Sequence, residues 1–149
     1  MRFEHRVTIP APREKVWQFL MQVPEVGRCV PGVTEVKPLT GDDYEGTMKV
    51  RIGPVALQLQ GKLSIVERDE AGGRATMSAQ AADRRAGGSV KARMQLQLEP
   101  KGASETDLVV TTDANVLGKL GEFGQPLIRR KADQTMEEFA RNVKTAIGS

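Results

Sequence analysis

Aromatic residues are scarce in this sequence: they make up 4% of 149 residues, with one Trp and one Tyr. The interior therefore has to be built from aliphatic, small and flexible side chains, among them 15 Gly and 6 Met. A core of that kind is easier to leave hollow than one built on rings. Cys29 is the only cysteine, which excludes an internal disulfide and fits a reducing compartment. His5 is the only histidine, which excludes a metal site built on histidines. No apolar run approaches the ~18 residues of a membrane span. The first residues, MRFEHRVTIP, lack the apolar centre of a signal peptide. A soluble, cytoplasmic chain is the expectation. Net charge is a mild +3, from 22 basic and 19 acidic residues. The basic clusters, Arg84-Arg85 and Arg129-Arg130-Lys131, are not interleaved with aromatics, so nucleic acid is not an expected partner. Gly87-Gly88 lacks the Gly-Lys-Ser/Thr continuation of a phosphate loop.

What is present is alternation. The length suits one domain spanning residues 1–149, long enough to bury roughly 70% of its unfolded surface. Phe3, His5, Val7 and Ile9 alternate with polar residues, which predicts a first strand ended by Pro10. Pro12 suits the first turn of a short helix with Val16, Phe19 and Leu20 as its apolar stripe and Trp17 at its edge. A second short helix is expected from Pro24 to about Cys29, broken by Pro31-Gly32. Six strands follow: Val33 to Leu39, two around Gly53-Pro54, Arg74 to Ala82, Val90 to Leu98, and Asp107 to Val116. Short turn-like stretches separate them, including Glu70-Ala71-Gly72-Gly73 and Arg85-Ala86-Gly87-Gly88, so neighbours should be antiparallel. From Leu127 to Ile147 apolar residues recur at helical spacing, with charges between them. Pro126 is expected at the start of this helix or at a kink, after a loose approach through Gly118, Gly121 and Gly124. All buried rows of the strands face one way and need a cover, and the last helix is the only element long enough. The expected fold is α+β: a curved antiparallel sheet wrapped around a long C-terminal helix.

One detail of the sheet raises a question. If Gly53-Pro54 closes a tight hairpin, residue 52 faces 55, 50 faces 57, 48 faces 59, and Gly46 faces Gly61. A pair of side chains is then missing from the inner face. Gly46 and Gly61 either let the sheet bend or make room, and the two are compatible. Ala75, Ala79, Ala81, Ala92 and Ala114 add small inner residues on the neighbouring strands. Met48, Met77, Met94 and Met136 are able to line a cavity adaptably or simply to fill a core.

The order of elements is similar to the helix-grip fold of the START-like (SRPBCC, Bet v1-like) superfamily. More narrowly, the sequence resembles the CoxG family of carbon monoxide dehydrogenase subunits. The residues that carry the resemblance run along the whole chain: Val16-Trp17, Cys29-Val30-Pro31-Gly32-Val33, Gly53-Pro54-Val55, Gly118-Lys119-Leu120, Gly124, Leu127-Ile128 and Phe139. The resemblance implies a hydrophobic tunnel between sheet and helix that binds a quinone or a lipid-like molecule, with no covalent cofactor. It also implies an accessory role to a molybdenum-containing CO dehydrogenase-type hydroxylase, and peripheral membrane contact. Many relatives carry an extension after the last helix, whereas this sequence ends at Ser149. Gln125-Pro126 stands where relatives more often have a polar or basic pair without proline, so a differently shaped helix start is expected.

The inner rows give the candidate ligand contacts. They are Tyr44, Gly46, Met48 and Val50 before the hairpin turn, and Leu57, Leu59 and Gly61 after it. Met77, Ala79, Ala92 and Met94 follow on the central strands, and Val110, Thr112 and Ala114 on the last. Leu120, Phe123, Leu127 and Ile128 would line and gate the mouth near the helix start. His5 reads either as a hydrogen-bonded core residue or as a donor to a quinone carbonyl, with no carboxylate in its own inner row. Catalysis of the polyketide cyclase kind would require His5, Tyr44 and Thr112 to converge. A docking module is the other alternative, through an outer basic face of Lys49, Arg51, Lys62, Lys91 and Arg93. Cys29, in an apolar turn, is expected to be buried. The expectation is a binding protein without catalytic residues or a metal.

Overall fold

The computed structural model describes residues 1–85 and 87–148. Ala86, in the predicted turn after the fifth strand, and Ser149 lie outside the described residues. The elements run in the expected order: β1 (Arg2–Ile9), α1 (Arg13–Leu20), α2 (Val23–Gly27), β2 (Val33–Pro38), β3 (Asp43–Ile52), β4 (Val55–Asp69), β5 (Arg74–Asp83), β6 (Gly88–Pro100), β7 (Thr106–Gly118) and α3 (Gln125–Gly148). The strands form one seven-stranded antiparallel sheet, in the order β1-β7-β6-β5-β4-β3-β2. Only the chain's first strand leaves its sequence neighbours, crossing to pair with β7 at the far edge. This is the helix-grip arrangement.

The hairpin register matches the alternation: Ile52 faces Val55, Val50 faces Leu57, Met48 faces Leu59 and Gly46 faces Gly61. Gly53 takes φ +58°, which a side chain would disfavour at this turn. The segment after β7 is more ordered than its glycines suggest. Lys119–Phe123 forms a 3-10 turn between Gly118 and Gly124, both at positive φ. Helix α3 begins at Gln125, so Pro126 occupies its first turn, where a missing N–H costs nothing, and no kink arises there.

Helix α3 comes nearest the backbone of β1, β3, α1 and the 3-10 turn. β1 is one edge of the sheet and β3 lies beside the other edge. The sheet thus curls so that its sides reach the helix while its central strands stand back. The apolar interior forms two clusters. The larger one joins Ile9, Val16, Trp17 and Leu20 to Leu98, Leu108, Val143 and Ile147. Trp17, expected at the helix edge, is buried in it, because α1 lies in the corner between the sheet and the end of α3. The smaller cluster joins Ile52, Leu57 and Leu120, with Val50, Leu59, Phe123 and Leu127 packed against them.

Candidate functional site

The register aligns the small inner residues into two adjacent rows across the sheet. Ala114, Ala92 and Ala79 face one another in sequence on β7, β6 and β5, and the row continues to Leu63 and Tyr44. The next row runs Val116, Val90, Ala81, Gly61 and Gly46. This band lies between the two apolar clusters. Met48, Leu63, Ala79, Ala81, Ala92 and Met94 belong to neither cluster and are only half-buried, although they sit on the face that the helix covers. Side chains too short to reach α3 leave that part of the inner face accessible.

The expected contacts therefore divide. Val110 and Met77 belong to the larger cluster, and Leu57, Leu120, Val50, Leu59, Phe123 and Leu127 to the smaller. Tyr44, Met48, Ala79, Ala92, Met94 and Thr112 lie half-buried between them, and Ala114 is buried at the end of its row. Ile128 is half-buried on the first turn of α3.

The glycine pair has a different explanation from its alanine neighbours. A Cβ on Gly61 would overlap the carbonyl oxygen of Gln80 and lie 2.7 Å from the Cβ of Ala81. A Cβ on Gly46 would lie 2.8 Å from the carbonyl oxygen of Glu35. Backbone, not empty space, occupies the missing positions. Gly46 and Gly61 mark the line along which the sheet folds inward, and the room is supplied by the alanines.

His5 points from β1 toward α3. Its Nε2 lies 2.8 Å from Oδ1 of Asp133. A carboxylate only accepts, so Nε2 is the donor in this pair. Nδ1 is buried and, among the described residues, has no partner. Of the two readings of His5, the hydrogen-bonded one is seen, with Asp133 as the partner, which the sequence could not place because it comes from the helix, not from an inner row. Two more contacts join the same surfaces. Arg129 donates to the Arg2 carbonyl at 2.8 Å and stands 5.1 Å above the Phe3 ring, which is itself stacked near His5. Together they form a polar seam between the edge of the sheet and the first half of α3.

The three polar residues of the catalytic alternative lie toward opposite sides of the sheet. Thr112 lies one pair along from His5, since Phe3 faces Thr112 and His5 faces Val110. Tyr44 is on β3, five strand-to-strand steps from β1. At about 4.8 Å per step that is about 24 Å along the curve of the sheet. Asp83, which carries no signal in the sequence pattern, continues the inner row of β5 by one step and is buried. It accepts from the backbone N–H of Gln58 at 2.7 Å and of Arg85 at 2.8 Å, pinning the start of β4 to the end of β5. Cys29 is buried as expected, and burial, then the charge of Glu25, pushes its thiol pKa up, the opposite of an activated nucleophile. Among the described residues, no group of three or more metal-ligating side chains occurs, and no helix is long and apolar enough to cross a membrane.

Solved structures share this fold at low identity. A conserved protein from Geobacillus kaustophilus is 19% identical, with a TM-score of 0.90 over 99% of this chain and 95% of its own. The Zhui aromatase/cyclase from Streptomyces sp. R1128 is 16% identical, with a TM-score of 0.70 over 99% of this chain and 93% of its own. A START superfamily protein from Mycobacterium smegmatis is 12% identical, with a TM-score of 0.70 over 99% of this chain and 97% of its own. No curated protein sequence matches the chain. The model of the CoxG family, a carbon monoxide dehydrogenase subunit family, matches residues 6–148, and the chain, with its helix-grip sheet and the sequence features spread from Val16 to Phe139, belongs to that family.

Proposed function

We propose that this protein is a non-catalytic carrier of a hydrophobic small molecule, a quinone or a lipid-like chain, held between the alanine band and α3. In this reading it serves as an accessory protein to a molybdenum-containing CO dehydrogenase-type hydroxylase. The observation that carries the reading is the half-exposed apolar strip beneath the helix, between two clusters that are themselves packed. Apolar surface left accessible under a cover is what a ligand pocket of this chemistry offers, because filling it removes that surface from water at roughly 25 cal/mol per Å². Family membership supports the accessory role.

The test is native mass spectrometry of the purified protein, followed by solvent extraction and identification of what is released. A stoichiometric quinone or acyl chain is the expected result. Melting with added ubiquinone or menaquinone gives the second readout, with an upward shift expected for the parent chain and none for Ala92→Leu, which fills the band. A chain that carries nothing and whose melting neither quinone shifts would end the carrier reading. Trp17 is a poor optical reporter here, since it is buried in the larger cluster away from the band.

A further inference from the structure

The outer face of the same sheet divides into a tied half and an untied half. In the tied half, Arg6 donates to Glu99 at 2.6 Å and to Asp107 at 3.0 Å, and the Thr8 hydroxyl donates to Asp107 at 2.7 Å. Gln97 donates to the carbonyls of Gly72 and Leu98. Farther along the same strands the outward side chains are untied. A concavity of about 530 Å³ across β5, β6 and β7 is lined by Met1, by Ala79, Ala92 and Ala114, and by the polar side chains of Ser78, Gln80, Lys91, Arg93, Asp113 and Asn115. None of them has a side-chain hydrogen bond or ion pair among the described residues. Arg93 stands directly opposite Asp113 in the β6–β7 ladder, yet the two do not pair. The charge around the concavity is positive in excess. Lys62 faces Gln80 and Arg2 faces Asp113, so Arg2, Lys62, Lys91 and Arg93 stand against Asp113 and Glu45.

We propose that this concavity is a docking site for an acidic segment of a partner polypeptide. Its polar side chains alternate with those of the ligand band and project from the opposite face of the sheet, although Ala79, Ala92 and Ala114 of the band also line it; the docking reading does not depend on the carrier reading. A free guanidinium fork is the group that pairs bidentately with a carboxylate, and Lys91 one pair along adds a second cation. Gln80, Asn115 and Ser78 offer donors and acceptors to the partner's peptide groups. The strands involved are central, so the partner cannot add as another strand and has to be read through side chains. Nucleic acid fits poorly, because the concavity carries no aromatic side chain on which a base could stack. A bilayer fits poorly as well, because the surface is concave, although Leu117 is exposed one outward position beyond Asn115.

The experiment is an NMR titration of the isotope-labelled full chain with a glutamate-rich helical peptide. Single-stranded oligothymidylate and phosphatidylglycerol vesicles are titrated in parallel. Shifts confined to Ser78, Gln80, Lys91, Arg93 and Asn115 are expected with the peptide. The double variant Lys91→Glu/Arg93→Glu is expected to lower peptide affinity about tenfold or more. Lys15→Glu, exposed on α1, controls for non-specific charge and is expected to leave affinity unchanged. Absence of peptide binding, shifts scattered over other faces, or an equal loss in Lys15→Glu would overturn the proposal. So would tighter binding of the oligonucleotide or the vesicles to this face.

Discussion

The two halves of α3 are held in different ways. The second half is fixed by burial: Ala140, Val143 and Ile147 are fully covered, and Asn142 donates to the Cys29 carbonyl at 2.9 Å. The first half is held by the polar seam of Arg129 and Asp133, both exposed on their outer sides, and by the smaller apolar cluster around Leu127. Burial cannot be replaced by water, whereas exposed ion pairs and hydrogen bonds largely can. The difference makes the second half the anchor and the first half the part able to yield to a ligand. It also places the yielding half beside the alanine band.

The contrast can be broken most forcefully at the anchor. Leu108→Ala, in the larger cluster, is expected to lose about 3–5 kcal/mol in denaturant unfolding, and Leu120→Ala, in the smaller one, about 2 kcal/mol. Equal losses would mean that the two ends are equally packed. Gly61→Ala is expected to cost about 1–3 kcal/mol, because its methyl group meets backbone that has to move. Ala92→Leu adds more atoms yet should cost less, since its row faces open space. If Ala92→Leu were the more damaging of the two by thermal melting, the band would be filled and the carrier reading would lose its site. At the seam, Asp133→Asn and Arg129→Ala are each expected to change stability by less than about 1 kcal/mol. They should nevertheless raise amide hydrogen exchange in the first turns of α3 and leave the last turns unchanged.

The smallest effect concerns Cys29. Burial raises its pKa in the folded chain, so the thiol favours folding in its protonated form. That contribution is complete below the ordinary thiol range and is lost as pH rises through the raised value. Native Cys29 is expected to resist alkylation at mildly alkaline pH and to react at once in denaturant. Fast native reaction would show that the larger cluster opens readily.

The hairpin shows what alternation alone settles. Period-2 alternation set the face of every strand, and a two-residue turn set which residues meet, so Gly46 opposite Gly61 was legible in the sequence. Element order, the long amphipathic cover and the inward direction of His5 were legible in the same way. All of these follow from local backbone geometry, in which residues two or four apart must share a face. How sharply the sheet coils was not legible, and several features depend on it. Coiling put backbone where the glycines' side chains would be, and left space above the alanines instead. It brought Asp133 to His5 across 128 positions of sequence and put Trp17 under cover. Local patterning is enough to say which residues face inward and which neighbours they have along the ladders. Which inward positions are filled is a matter of long-range packing, because filling depends on the distance between sheet and helix, a quantity that no local pattern encodes.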